Sequence, residues 1–268
     1  MSKAGITSGR PQRPLVLLLA CFSLCALTAS GTASADAKAL AVSPTQELVG
    51  LLRPHEARAE PSAGAAPLVL VPAQTPITGE RTVLPVLARH GQWLKVRLPG
   101  RPNGHTGWIS RRKTMLSATA WHIVVDPAHR RIIVYRQGHA FRIFSAVVGK
   151  PSTPTPTGQF FVEESIALRP TDVGAPYALA LSARSNVLQE FAGGPGQIAL
   201  HGLDNVGGVL GTAVSHGCVR LADATMRWLV TRIGDGTPVT VEADRTDRTD
   251  AAQAPFPGNQ VALHHHHG

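Results

Sequence analysis

The chain is expected to fold mainly as β-structure, with a single helix, in a small unit followed by a larger one. Three observations predict this. Gly and Pro are frequent, at 26 and 21 of 268 residues. Short apolar, β-branched runs are broken by turn residues, and only one stretch carries helical spacing. At 43% hydrophobic and 16% charged, the chain can bury a core and is not disordered as a whole.

In chain order, Lys3, Arg10 and Arg13 make a positive start, residues 15–27 form an apolar run, and Ala33-Ser34-Ala35 offers small residues for cleavage. Residues 1–35 therefore read as a secretory signal. A membrane span needs ~20 apolar residues, so no span is expected once the signal is cleaved. A lipidation site at Leu18-Leu19-Ala20-Cys21 ranks lower, because it leaves only residues 15–19 as a hydrophobic core.

Residues 36–66 are rich in Ala, Pro, Ser and Glu and read as a linker, with at most a short helix near 46–52. Residues 67–116 hold short apolar segments at 68–71, 83–87, 93–98 and 107–109, separated by turns, as in a small antiparallel barrel. Trp93 and Trp108 are expected in its core rather than as a ligand-stacking pair. Arg111-Arg112-Lys113 reads as a solvated connection.

Residues 119–243 form the main domain. Strands are expected at 121–126, 132–136 and 140–148, linked by hairpins, then at 160–164, 177–181, 197–200 and 238–242. Residues 223–233 carry Met226, Leu229, Val230 and Ile233 at helical spacing, with Asp223 as a cap. Residues 244–268 are expected to be disordered. His264 to His267 are a natural tail or an added tag, with no bearing on catalysis.

Cys21 and Cys25 fall in the signal, so Cys218 is alone in the mature chain. An exported compartment favours disulfides, and a leftover thiol there is a candidate reactive group. The net charge of +9 falls to about +6 once Lys3, Arg10 and Arg13 are removed. That suits an anionic cell envelope, and nucleic acid is not expected as a partner.

The chemistry gathers at Ser215-His216-Gly217-Cys218-Val219-Arg220, with Leu200-His201-Gly202 upstream. A thiol of pKa ~8.5 is mostly protonated near neutrality, and an imidazole activates it. Either His201 or His216 can serve as that base. With no neighbouring carboxylate evident, a backbone carbonyl is the candidate for fixing the tautomer. Gly217 permits a tight turn, and the amides of Gly217 and Cys218 are candidate oxyanion donors. Arg220 can hold a carboxylate, and Tyr177 is a further substrate-contact candidate. A zinc site of His201, His216 and Cys218 lacks the usual ligand spacing, so no metal or cofactor is expected. His55, His90, His105, His122, His129 and His139 lie in turns or at strand edges and are given no role.

The Ser-His-Gly-Cys-Val-Arg segment, with His201-Gly202 before it, resembles the signature of the L,D-transpeptidase catalytic domain. The stretch from Val147 to Phe160, Val-Val-Gly-Lys-Pro-Ser-Thr-Pro-Thr-Pro-Thr-Gly-Gln-Phe, resembles that family's loop after the first meander. The likeness spans about 120 residues. It implies a β-sandwich with a capping helix, and a cysteine that attacks a peptidoglycan tetrapeptide stem. D-alanine leaves, a thioester forms, and a second stem's amine resolves it into a 3→3 cross-link. It further implies Cys218 as nucleophile, His201 as base, and His216 and Gly217 as shaping the pocket. Ser215 would orient a histidine, Arg220 would contact substrate or support the loop, and carbapenem-type β-lactams would be covalent inhibitors. The chain departs from the family pattern at Gly202, where Ser or Thr is common, and at Arg220, where Asn is common. Gly91-Gln92-Trp93-Leu94-Lys95-Val96 and Gly107-Trp108-Ile109 resemble a bacterial SH3-like barrel. Hydrolysis at the same cysteine, or wall binding without catalysis, are the alternative functions.

Overall fold

In the computed structural model, residues 41–190 and 194–243 are described. The expected signal at 1–35 and tail at 244–268 lie outside the described residues. The described residues are mainly β, with two large sheets and one helix.

The first sheet is antiparallel, with seven strands in the order β3-β2-β6-β5-β4-β1-β7. These are β1 (Gln46–Leu51), β2 (His55–Arg58), β3 (Pro67–Val71), β4 (Val83–His90), β5 (Trp93–Arg97), β6 (Thr106–Ser110) and β7 (Thr114–Thr119). The short helix expected near 46–52 is not formed. Those residues are β1, held between β4 and β7, and Val49 and Leu51 enter the core beside Leu84. Pairing on both edges overrides a weak local preference. The tryptophan expectation is also corrected. Strand β5 alternates, so Leu94 and Val96 point into the core while Trp93 stays half-buried on the opposite face. Trp108 is likewise half-buried, edge-on to His90.

The second sheet has eight strands in the order β10-β9-β8-β17-β12-β13-β14-β16. In chain order they are β8 (Trp121–Asp126), β9 (Arg131–Arg136), β10 (His139–Ser145), β12 (Gly158–Ala167), β13 (Tyr177–Arg184), β14 (Gln197–His201), β16 (Val219–Arg220) and β17 (Pro238–Val241). The pairs β8/β17 and β14/β16 are parallel and the others antiparallel. A small parallel pair joins β11 (Val148–Gly149) to β15 (Ala213–Ser215). Helix α1 (Asp223–Val230) packs Met226 and Leu229 against the sheet's core. Its N-cap is Ala222, not Asp223. The Asp223 carboxylate instead accepts the Leu203 N–H at 3.0 Å, tying the helix start to the loop after β14.

Strand β12 joins the two halves. Phe160 belongs to the core of the second sheet and Phe161 to the core of the first, because successive side chains leave a strand on opposite faces. Further on, Glu164 is fully buried, and its Oε2 accepts from Thr78 N, Thr78 Oγ1 and Ile77 N at 2.9, 3.0 and 3.3 Å. The Asn103 side chain accepts from Arg184 N and donates to Arg184 O, at 2.8 and 2.7 Å.

Candidate active site

The pairing of β14 with β16 decides which groups meet. Leu200 lies opposite Val219, and His201 opposite Arg220, in parallel register. Cys218, one residue before β16, therefore comes beside Ala199, whose backbone N–H donates to the sulfur. His201 follows Ala199 by two residues and so shares its face of the strand.

The segment from Ser215 to Cys218 is a closed turn. The buried Ser215 hydroxyl donates to the Cys218 carbonyl at 2.6 Å and accepts the Gly217 N–H at 3.1 Å. Gly217 has φ +120°, and a Cβ there would press on Ile198 at 3.0 Å. Only glycine suits that backbone. The proline-rich loop after β11 closes over the turn. Lys150 N donates to Ser215 O at 3.0 Å, Thr153 Oγ1 donates to the same carbonyl at 3.2 Å, and Gly149 N donates to Thr155 Oγ1 at 3.0 Å. The two sequence motifs are thus two walls of one site.

His201 is half-buried, and its Nδ1 lies 2.8 Å from the Gly202 carbonyl. A carbonyl only accepts, so Nδ1 carries the proton and Nε2 presents its lone pair. Burial pushes the imidazole below its ordinary pKa, and the Arg220 charge pushes the same way, against the Gly202 carbonyl. Cys218 is partly exposed as a residue. Burial nevertheless pushes its thiol up, while the Ala199 N–H and the Arg220 charge pull it down. The resting pair is accordingly a neutral thiol and a neutral imidazole.

Residues 120–241 match the family model of the YkuD L,D-transpeptidase catalytic domain. Residues 120–241 are a YkuD-family L,D-transpeptidase catalytic domain. The chain is 24% identical over 251 residues to L,D-transpeptidase 1 of Mycobacterium tuberculosis, covering 80% of this chain and 92% of that protein. It is 26% identical over 147 residues to YkuD of Bacillus subtilis, covering 54% and 72%. Among solved structures it overlaps LdtMt1 in complex with imipenem, at 23% identity, 51% and 73% coverage and TM-score 0.36.

Gly202 packs tightly against the loop before β13. A Cβ there would collide with the Ala175 carbonyl oxygen, so the loop before β13 leaves no room for Ser or Thr. Arg220 supports the loop after β14 by donating from NH1 to the Gly207 carbonyl at 3.1 Å. Its Nε is buried without a partner among the described residues. The structure brings Cys218, His201, Gly202, Ser215, Gly217 and Arg220 together, and His216 is exposed on the same turn. Three of the named residues have partners of their own. The Ser215 hydroxyl bridges the turn, and the Gly202 carbonyl orients the His201 ring. The Gly217 amide is engaged by Ser215 and is not available to an oxyanion. Tyr177 lines a separate cleft of about 240 Å³ with Asp204 and Arg227, and Cys218 is not among that cleft's lining residues.

Gly174 was not singled out in the sequence. It has φ +83° and lies against the His201 ring, where a Cβ would collide with Nδ1. Its carbonyl accepts the Gly202 N–H at 2.8 Å. The signal for it was a bare Gly-Ala-Pro in a loop, which does not say which ring it will meet.

Proposed function

We propose that the protein is an exported L,D-transpeptidase that forms 3→3 peptidoglycan cross-links through a Cys218 thioester. The observation that carries this reading is the adjacency of the Cys218 sulfur to strand β14, which ends in a His201 whose tautomer is set for proton acceptance. His201 Nε2 takes the thiol proton as Sγ attacks the carbonyl of the stem's diamino acid. The Cys218 N–H stabilises the oxyanion. The bond to D-alanine breaks, and the proton passes from His201 to the departing amine. The side-chain amine of a second stem then attacks the thioester, gives its proton to His201, and restores the thiol. The pattern of residues 1–35 supports action outside the membrane.

A carbapenem tests it, read as a mass shift on the intact protein. Wild type is expected to acquire one adduct, Cys218→Ala none, and His201→Ala one formed at least ~10²-fold more slowly. An unmodified wild type refutes the assignment of Cys218. Tetrapeptide products then separate transfer from hydrolysis: dimers support the proposal, whereas tripeptide alone replaces it with a carboxypeptidase.

A further inference from the structure

A second polar cleft, of about 230 Å³, opens between the two sheets. Its lining comes from the segment leading into β1, from β1, β4, β5, β8 and β12, and from Pro238, and includes no residue of the turn that carries Cys218. Arg97 reaches into it from β5. Its NH1 donates to the Gly104 carbonyl at 3.1 Å, and no carboxylate pairs with it among the described residues. Gln159 and His122 lie on the facing wall and are joined through Thr240. The Thr240 hydroxyl donates to Gln159 Oε1 at 3.0 Å, so it accepts from His122 Nε2 at 2.8 Å. That fixes two polarities. The Gln159 amide offers its NH2 as donor, and His122 keeps Nδ1 as acceptor. Burial pushes His122 down to about 4, so the ring is neutral at pH 7. Gln46 gives both amide protons to the Val86 and Glu47 carbonyls, at 2.7 and 2.8 Å, which leaves its Oε1 as a second acceptor.

The cleft therefore presents a fork of donors beside a pair of acceptors. Arg97 is half-buried and has no carboxylate partner among the described residues, and a planar anion matches a guanidinium in charge and shape. We propose that this cleft binds a ligand of amino-acid size that bears a carboxylate next to an N–H donor. Arg97 and Gln159 grip the carboxylate, while His122 Nδ1 and Gln46 Oε1 take the N–H. Two sources share this chemistry: a free amino acid, and the C-terminal residue of a peptide. The volume admits one residue and little more. The reading does not depend on the catalytic proposal.

Titrations of the full chain carrying Cys218→Ala, read by the fluorescence and indole N–H resonance of Trp121 in the cleft wall, test it. The probes are D-alanine, L-alanine, N-acetyl-D-alanine and the methyl ester of the last. An acid is expected to bind, its ester to bind at least ~10-fold more weakly, and Arg97→Gln to weaken the acid by a similar factor. Tighter binding of the free amino acid identifies a metabolite, and tighter binding of the N-acetyl form identifies a peptide end. Either result supports the site. The proposal is overturned if the ester binds as well as the acid, if folded Arg97→Gln binds unchanged, or if no acid binds by about 20 mM. The ester comparison needs no substitution in the cleft, so it decides the matter even where Arg97→Gln fails to fold.

Discussion

At the scale of single residues, the surroundings of His201 and Cys218 favour the neutral form of both. Burial disfavours both charged forms, and Arg220 opposes the imidazolium while favouring the thiolate. The imidazole is thus ready to accept a proton at pH values where a free histidine is already charged. The acid limb of carbapenem acylation is expected to lie below pH 6.5, the ordinary histidine value. A pH profile of the acylation rate with its midpoint at or above 6.5 would contradict this balance. Cys218 and His201 stand out in the sequence as candidates because each sits in a short motif that suits thiol chemistry. The role of Ser215 does not stand out, because a hydroxyl suits a turn, a histidine or a substrate equally well until its partners are in place. Its partners are the two backbone groups that close the turn.

Strand β12 is the element that most changes the picture of two consecutive units. It was expected at 160–164 as a strand of the main domain, and it spans Gly158–Ala167. Phe160 and Phe161, both almost fully buried, serve different cores. Truncating Phe161 removes a large side chain from the first sheet's core and none from the core of the second sheet. Phe161→Ala is expected to cost about 3–5 kcal/mol. Because the same strand carries both cores, tryptophan fluorescence and the capacity for acylation are expected to be lost at one shared denaturant midpoint. Two separated transitions, with acylation retained past the first, would show that the halves unfold independently.

At the scale of the whole molecule, acidic groups collect where the halves meet. Glu164 is fully buried, and its Oε1 has no partner among the described residues. Asp235 is pushed up to about 6, first by burial and then by Glu164 and Glu80, against a hydrogen bond from Ser165. A carboxyl raised in this way is harmless below its unfolded value of 3.8, and it weakens the fold as pH rises through about 6. Asp235→Asn is expected to raise the melting temperature at pH 8 by at least about 2 °C, with little change at pH 4. An equal shift at both pH values, or none at pH 8, would place the cause elsewhere. His122 has the opposite sign. Its depressed pKa weakens the fold as pH falls from 6.5 towards about 4, so stability is squeezed from both sides.

The positions of most strands in the main domain, the helix after residue 222 and the two motifs that meet at Cys218 could all be read along the chain. Alternation, turn residues and a thiol beside histidine are local patterns, and local patterns survive without knowledge of the fold. What only the tertiary structure decided is non-local. Residues 46–51 became a strand because β4 and β7 flank them. Trp93 turned outward because Leu94 and Val96 took the core. Gly202 was required because the Ala175 carbonyl stands against it. Each outcome depends on a neighbour more than twenty residues away in sequence or on the opposite face of a strand. Such neighbours exert their steric and hydrogen-bonding constraints only once the chain has folded.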